Sequence, residues 1–147
     1  GCLLLEVQEP SDFTVQPERW CGDYKLSDNE MYLGLDKDTA MECFDVAKKY
    51  PAPLEPVTIS DKGGVKYLSF IDERMTTSFT VRKIELSGGE FSLDNGARIY
   101  VVTEGEGKIT GDGYEKAIKK GDYFLMPVAA EGKFKLSGNI GIVECYR

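Results

Sequence analysis

The sequence predicts an all-β domain, an antiparallel sandwich or barrel, behind a short appendage of strand, loop and helix. Three observations carry this. From Val57 onward, apolar runs of five to eight residues recur between turn signals. Glycine-bearing breaks punctuate them at Gly88-Gly89, Asn95-Gly96, Gly105, Gly111-Asp112-Gly113, Gly121 and Gly138-Asn139. Only one segment, after Asp36, combines a capping residue with apolar positions at helical spacing.

Taken in order, residues 2–8 (Cys-Leu-Leu-Leu-Glu-Val-Gln) read as a buried strand, closed by the breaker cluster Glu9-Pro10-Ser11-Asp12. Cys21 to Met31 is polar and reads as loop. Asp36 or Asp38 caps a helix whose apolar stripe is Met41, Phe44 and Ala47, and Pro51 stops it. Pro51, Pro53 and Pro56 then form a stiff connector, because proline fixes its own φ and offers no ladder donor. The boundary is therefore placed at 56, with 1–56 as the appendage and 57–147 as the β domain. Strands are expected near 66–71, 77–86, 89–93, 98–104, 106–110, 114–118, 122–126, 132–136 and 139–146.

Composition excludes whole classes of chemistry. The 147 residues contain no histidine, which removes Ser-His-Asp and Cys-His nucleophile systems and every HExxH-type metal site from this chain. A net charge of −7 argues against a nucleic-acid partner, and no basic amphipathic run suits a membrane surface. Four cysteines, none at CxxC spacing, suit free thiols in a reducing, cytoplasmic setting. The chain starts at Gly1 and enters an apolar run at once, and the expectation is that a segment precedes it.

The stretch Gly96-Ala-Arg-Ile-Tyr-Val-Val-Thr-Glu-Gly-Glu-Gly-Lys-Ile, followed by Gly121-Asp-Tyr-Phe-Leu-Met-Pro127, resembles a cupin. The resemblance implies a cupin-like jelly roll, with Gly105 and Gly107 permitting tight strand reversal. Cupin metal sites use two His and a Glu on the first motif and a His on the second. Alignment by Gly105 puts Ser92, Asp94 and Arg98 at the first three positions, and alignment by Gly121 and Pro127 puts Gly132 at the last. A cation and a glycine there cannot hold a divalent metal. Two readings of Arg98 stand, an outward surface charge or an inward anion-binding group. Tyr123-Phe124-Leu125-Met126 reads as core packing, and Lys116, Lys119 and Lys120 as a solvated turn.

The run from Leu3 to Thr14 resembles the segment after the last metal-binding histidine of type I mannose-6-phosphate isomerases, whose second cupin is metal-free. The resemblance implies the C-terminal portion of an aldose-ketose isomerase working through an enediol. Zinc would be held upstream, with its ligands absent here, so no cofactor is expected on this chain and the fragment alone should be inactive. It further implies Glu6, Gln16 and Arg19 as catalytic candidates and Gln8 and Asp12 as substrate-binding ones, facing a sugar phosphate. Gln16 stands where the family commonly has arginine. Each has a plain alternative: Glu6 and Gln8 on a solvent face, Asp12 as a turn residue, Gln16 and Arg19 as loop. A stand-alone, non-catalytic cupin that binds a sugar or mediates oligomerisation remains the other function. Leu3 to Leu5 also suggest a homodimer through an exposed strand edge.

Overall fold

The computed structural model describes residues 3–8, 14–44, 46–47, 53–94 and 96–147. They form two compact units, Pro10–Pro53 and a larger one of Gly1–Glu9 with Leu54–Arg147. The boundary expected at 56 thus misplaces the first residues. Leu5 and Val7 line one apolar groove with Leu54, Phe70, Val81 and Val143, which groups them with the larger unit.

The small unit carries a two-residue ladder, β1 (Trp20–Cys21) with β2 (Tyr24–Lys25), and two short helices, α1 (Asp28–Tyr32) and α2 (Lys37–Met41). Helix α1 falls where a loop was expected. Its cause is a complete capping box, in which the Ser27 side chain accepts from the Glu30 amide while Glu30 accepts from the Ser27 amide at 2.9 Å. Asp36 caps α2 by accepting from the Thr39 amide at 3.1 Å. That helix ends at Met41, and Phe44 and Ala47 are exposed, so the expected stripe does not form a packed face. Met31, Tyr32 and Ala40 form the core instead, with Val15 and Leu26 against them.

The larger unit is all-β and antiparallel, as the sequence predicts. Its strands are β3 (Val57–Lys62), β4 (Val65–Ile71), β5 (Thr80–Ser92), β6 (Arg98–Gly111), β7 (Tyr114–Lys119), β8 (Tyr123–Met126) and β9 (Lys135–Tyr146). The sheet order is β3-β4-β5-β9-β6-β7, and β8 joins β6 on the edge β7 leaves free. Residues 3–8 belong to no strand, which corrects the expected buried strand at 2–8; Leu3, Leu4 and Leu5 are exposed.

Several glycines behave differently from the reading above. Asp112 and Gly113 do form a tight turn, both at positive φ as a two-residue hairpin requires. Gly105 and Gly107, however, reverse nothing, since β6 runs unbroken through them. They sit where β9 comes close: a Cβ on Gly105 would lie 2.1 Å from the Asn139 carbonyl oxygen, and one on Gly107 2.3 Å from that of Ser137. The register of β6 against β9 shifts between Val102 and Glu104. That bulge moves the inward set from Tyr100 and Val102 to Ile109. Gly88-Gly89 likewise mark a register shift inside one long β5.

The core collects Ile84 and Leu86 of β5, Tyr100, Val102 and Ile109 of β6, and Leu136, Ile140 and Ile142 of β9, with others. At one end of this inner face, apolar side chains give way to charged ones.

Candidate functional site: a buried arginine–glutamate cluster

Strand β9 continues its inward alternation from Ile140 and Ile142 to Glu144 and Tyr146. Glu144 lies between two cross-strand partners, Arg82 of β5 and Tyr100 of β6. It is completely buried, and Arg98 is only 6% exposed. A charge placed there needs a partner, because desolvation of an isolated carboxylate is prohibitive. Arg98 supplies it, donating from Nη1 to Glu144 Oε1 at 2.5 Å. The Tyr67 hydroxyl of β4 donates to the same oxygen. Arg82 Nη1 donates to the Tyr67 oxygen at 2.9 Å, and the Arg98 guanidinium lies 3.7 Å over the Tyr146 ring. Tyr100 stacks on Phe124 of β8, ring centroids 5.0 Å apart.

Arg98 is therefore inward and not an outward surface charge, and the Glu144 carboxylate is a partner of its guanidinium. Burial pushes the Tyr67 phenol up, and burial with the charge of Glu144 pushes Tyr100 up further, so both stay protonated at neutral pH. Two atoms of the cluster are buried with no hydrogen-bond partner among the described residues, Glu144 Oε2 and Arg82 Nε.

The residues proposed from the sequence lie elsewhere. Glu6 and Gln8 are exposed, alternating with Leu5 and Val7, which line the apolar groove. Gln16 and Arg19 belong to the small unit. The backbone N–H of Gln16 donates to the Met31 carbonyl at 2.9 Å, and Arg19 pairs with Asp28 at 3.0 Å on an exposed surface. Asp12 lies outside the described residues. The structure keeps Glu6 with Gln8 in one unit and Gln16 with Arg19 in the other. Of Tyr123 to Met126, Phe124 and Met126 face the core, whereas Tyr123 and Leu125 are exposed.

Zinc does not fit the described residues. No group of three or more His, Cys, Asp or Glu among them could hold a metal ion. Where a metal cupin needs a carboxylate, Arg98 presents a guanidinium already bound to Glu144. Cys21, Cys43 and Cys145 are free thiols, and no helix among the described residues is long and apolar enough to cross a membrane.

Comparison with known proteins decides the family. Residues 72–147, just over half of the chain, match the sequence model described as mannose-6-phosphate isomerase, cupin domain. The chain belongs to that family. No curated protein matches it by sequence. Among solved structures, a mannose 6-phosphate isomerase from Bacillus subtilis is 24% identical with a TM-score of 0.62, covering 84% of this chain and 38% of its own. An apo mannose 6-phosphate isomerase from Salmonella typhimurium is 23% identical with a TM-score of 0.51, covering 63% of this chain and 22% of its own. A mannose 6-phosphate isomerase bound with zinc and yttrium matches to the same extent, 23% identity and a TM-score of 0.51 over 63% and 22%. These likenesses show the fold, a cupin jelly roll. This member of the family spans well under half the length of each isomerase it resembles.

Proposed function

We propose that this chain serves as the C-terminal portion of a cytoplasmic mannose-6-phosphate isomerase, contributing a metal-free cupin and one wall of the sugar-phosphate site. The observation that carries the reading is the family match over 72–147. The zinc that such an enzyme uses is assigned to a part outside this chain, since nothing described here suits it. The residues from this chain that would face substrate are Glu6 as a proton acceptor, Gln8 and Asp12 as hydroxyl partners, and Gln16 with Arg19 at the loop. Gln16 offers an amide where a fixed cation would better stabilise a developing enediolate. The Arg19 charge is shared with Asp28.

The test joins the gene to its product. The reading frame upstream of Gly1 is expected to encode a histidine-bearing zinc cupin. The product of the whole frame interconverts mannose 6-phosphate and fructose 6-phosphate, and the 147-residue chain alone does not. In that product Glu6→Gln lowers kcat by about a hundredfold, the usual worth of a positioned base. A frame without an upstream cupin supports a stand-alone module and overturns the proposal, as does turnover by the short chain in chelator.

A further inference from the structure

A cavity of about 490 Å³ lies between β7, β8 and the 3-10 turn Val128–Ala130, apart from the charged cluster. We propose that it binds a small aromatic monocarboxylate, with Lys116 as the counter-ion.

The walls are core side chains that the fold leaves partly uncovered. Ile109, Ile118 and Met126 are buried, whereas Phe124, Ala130 and Phe134 pack against the core and stay only partly buried. Tyr114 meets Phe134 edge to face with ring centroids 5.7 Å apart, and Phe124 is held by its stack on Tyr100. Such walls favour a flat aromatic guest, which gains ring contacts beyond the apolar area it buries. The volume falls in the range of small-molecule pockets, about 300–1,000 Å³, which are mostly apolar with a few converging polar groups.

Lys116 supplies the polar group. It does not sit in a solvated turn, as the sequence suggests, but on β7, two residues from buried Ile118 and opposite buried Ile109 of β6. Both relations put its side chain on the inner face of the strand, where it lines the cavity. On the outer face of the same hairpin, Lys108 pairs with Glu115 at 3.0 Å. Lys116 has no ion pair among the described residues. A carboxylate on the guest completes it, while the ring fills the apolar floor. Asp122 also lines the cavity, with its Oδ2 accepting from the Lys119 backbone N–H at 2.8 Å. Its charge opposes a second carboxylate on the guest, so a monoanion is selected.

The inference does not rest on isomerisation and is read by binding alone. 2-Naphthoate, its neutral counterpart 2-naphthalenemethanol, and acetate are titrated separately into the 147-residue chain by calorimetry. One 2-naphthoate is expected per chain, about fivefold tighter than the alcohol, the worth of one partly exposed ion pair. Acetate, which lacks the ring, does not saturate. Lys116→Met lowers the affinity for the acid to that for the alcohol, and Lys116→Arg keeps the preference; a lysine that merely reaches into solvent predicts neither. Ala130→Phe fills the cavity and weakens acid and alcohol alike by about tenfold or more. If Ala130→Phe fails to fold, the exposed Lys116 variants decide by themselves. No saturable binding of 2-naphthoate, equal affinity for acid and alcohol, or a preference that survives Lys116→Met would each overturn the proposal. Self-association that Ala130→Phe abolishes, with no 2-naphthoate bound, would assign the cavity to a side chain of a second copy and overturn it as well.

Discussion

Arg98 and Glu144 stand 46 positions apart in the sequence and meet inside the barrel, guanidinium to carboxylate, at 2.5 Å. Arg98 stands at one of the positions where the cupin resemblance would place a metal ligand, and its guanidinium is held by Glu144. Desolvating two charges offsets most of their attraction, so such a pair adds little net stability, yet either half alone is costly. Arg98→Met should therefore destabilise the chain by about 3–5 kcal/mol. Arg98→Met with Glu144→Met should lose clearly less than the sum of the two single changes. Urea unfolding of the four proteins measures the coupling, and strict additivity would show that the pair is not a unit.

Gly105 tests the close approach of β6 and β9. Its φ is +67°, and an added Cβ would lie 2.1 Å from the Asn139 carbonyl oxygen. Gly63 has a similar φ of +61° with nothing near its Cβ position. Gly63→Ala should cost about 1 kcal/mol, the backbone strain alone. Gly105→Ala should cost at least about 2 kcal/mol more, from the clash with rigid backbone. Equal losses in denaturant midpoint would show that the strands separate freely.

Alkaline pH should unfold the protein through its buried phenols. Tyr67 and Tyr100 both hold their protons more tightly in the fold than in the unfolded chain. The unfolded tyrosines ionise near pH 10, so stability is intact below that value and falls as pH rises through the higher folded values. Thermal unfolding between pH 8 and 11 should show this fall, and Tyr100→Phe should flatten it. A profile identical in Tyr100→Phe would mean that this phenol does not contribute.

How much of this was legible beforehand varies residue by residue. The Asp112-Gly113 hairpin and the all-β class were readable, because turn chemistry and alternation are local properties. The capping box Ser27-Asp28-Asn29-Glu30 before Met31-Tyr32 is also a local signal, masked by the polarity around it. Gly105 and Gly107 misled, since a glycine needed for a close backbone crossing looks like one needed for a turn. For the cluster, a signal existed on each strand: Arg98 shares parity with Tyr100 and Val102, and Glu144 with Ile140 and Ile142. Which charge meets which depends on β9 lying between β5 and β6, a long-range pairing that no local pattern encodes. The candidates Glu6, Gln8, Asp12, Gln16 and Arg19 came from resemblance, and their geometry depends on parts that one chain segment does not specify.

Self-association is expected through the first leucines. Leu4 is 85% exposed, and Leu3 and Leu5 are exposed beside it. The route is apolar surface and not a sheet edge, because residues 3–8 carry no ladder. Sedimentation should show concentration-dependent dimerisation that Leu4→Asp reduces. A monomer at every concentration tested would exclude it.

The placement of β9 also dictates the order of assembly. Every strand it joins is made before it, and β5 and β6 do not pair with each other. During synthesis the growing chain must therefore hold two long unpaired edges apart until its last strand is delivered between them. Glu144 arrives with that strand, after Arg82 of β5 and Arg98 of β6 have been made. A nascent chain stalled before β9 would then expose both strand edges.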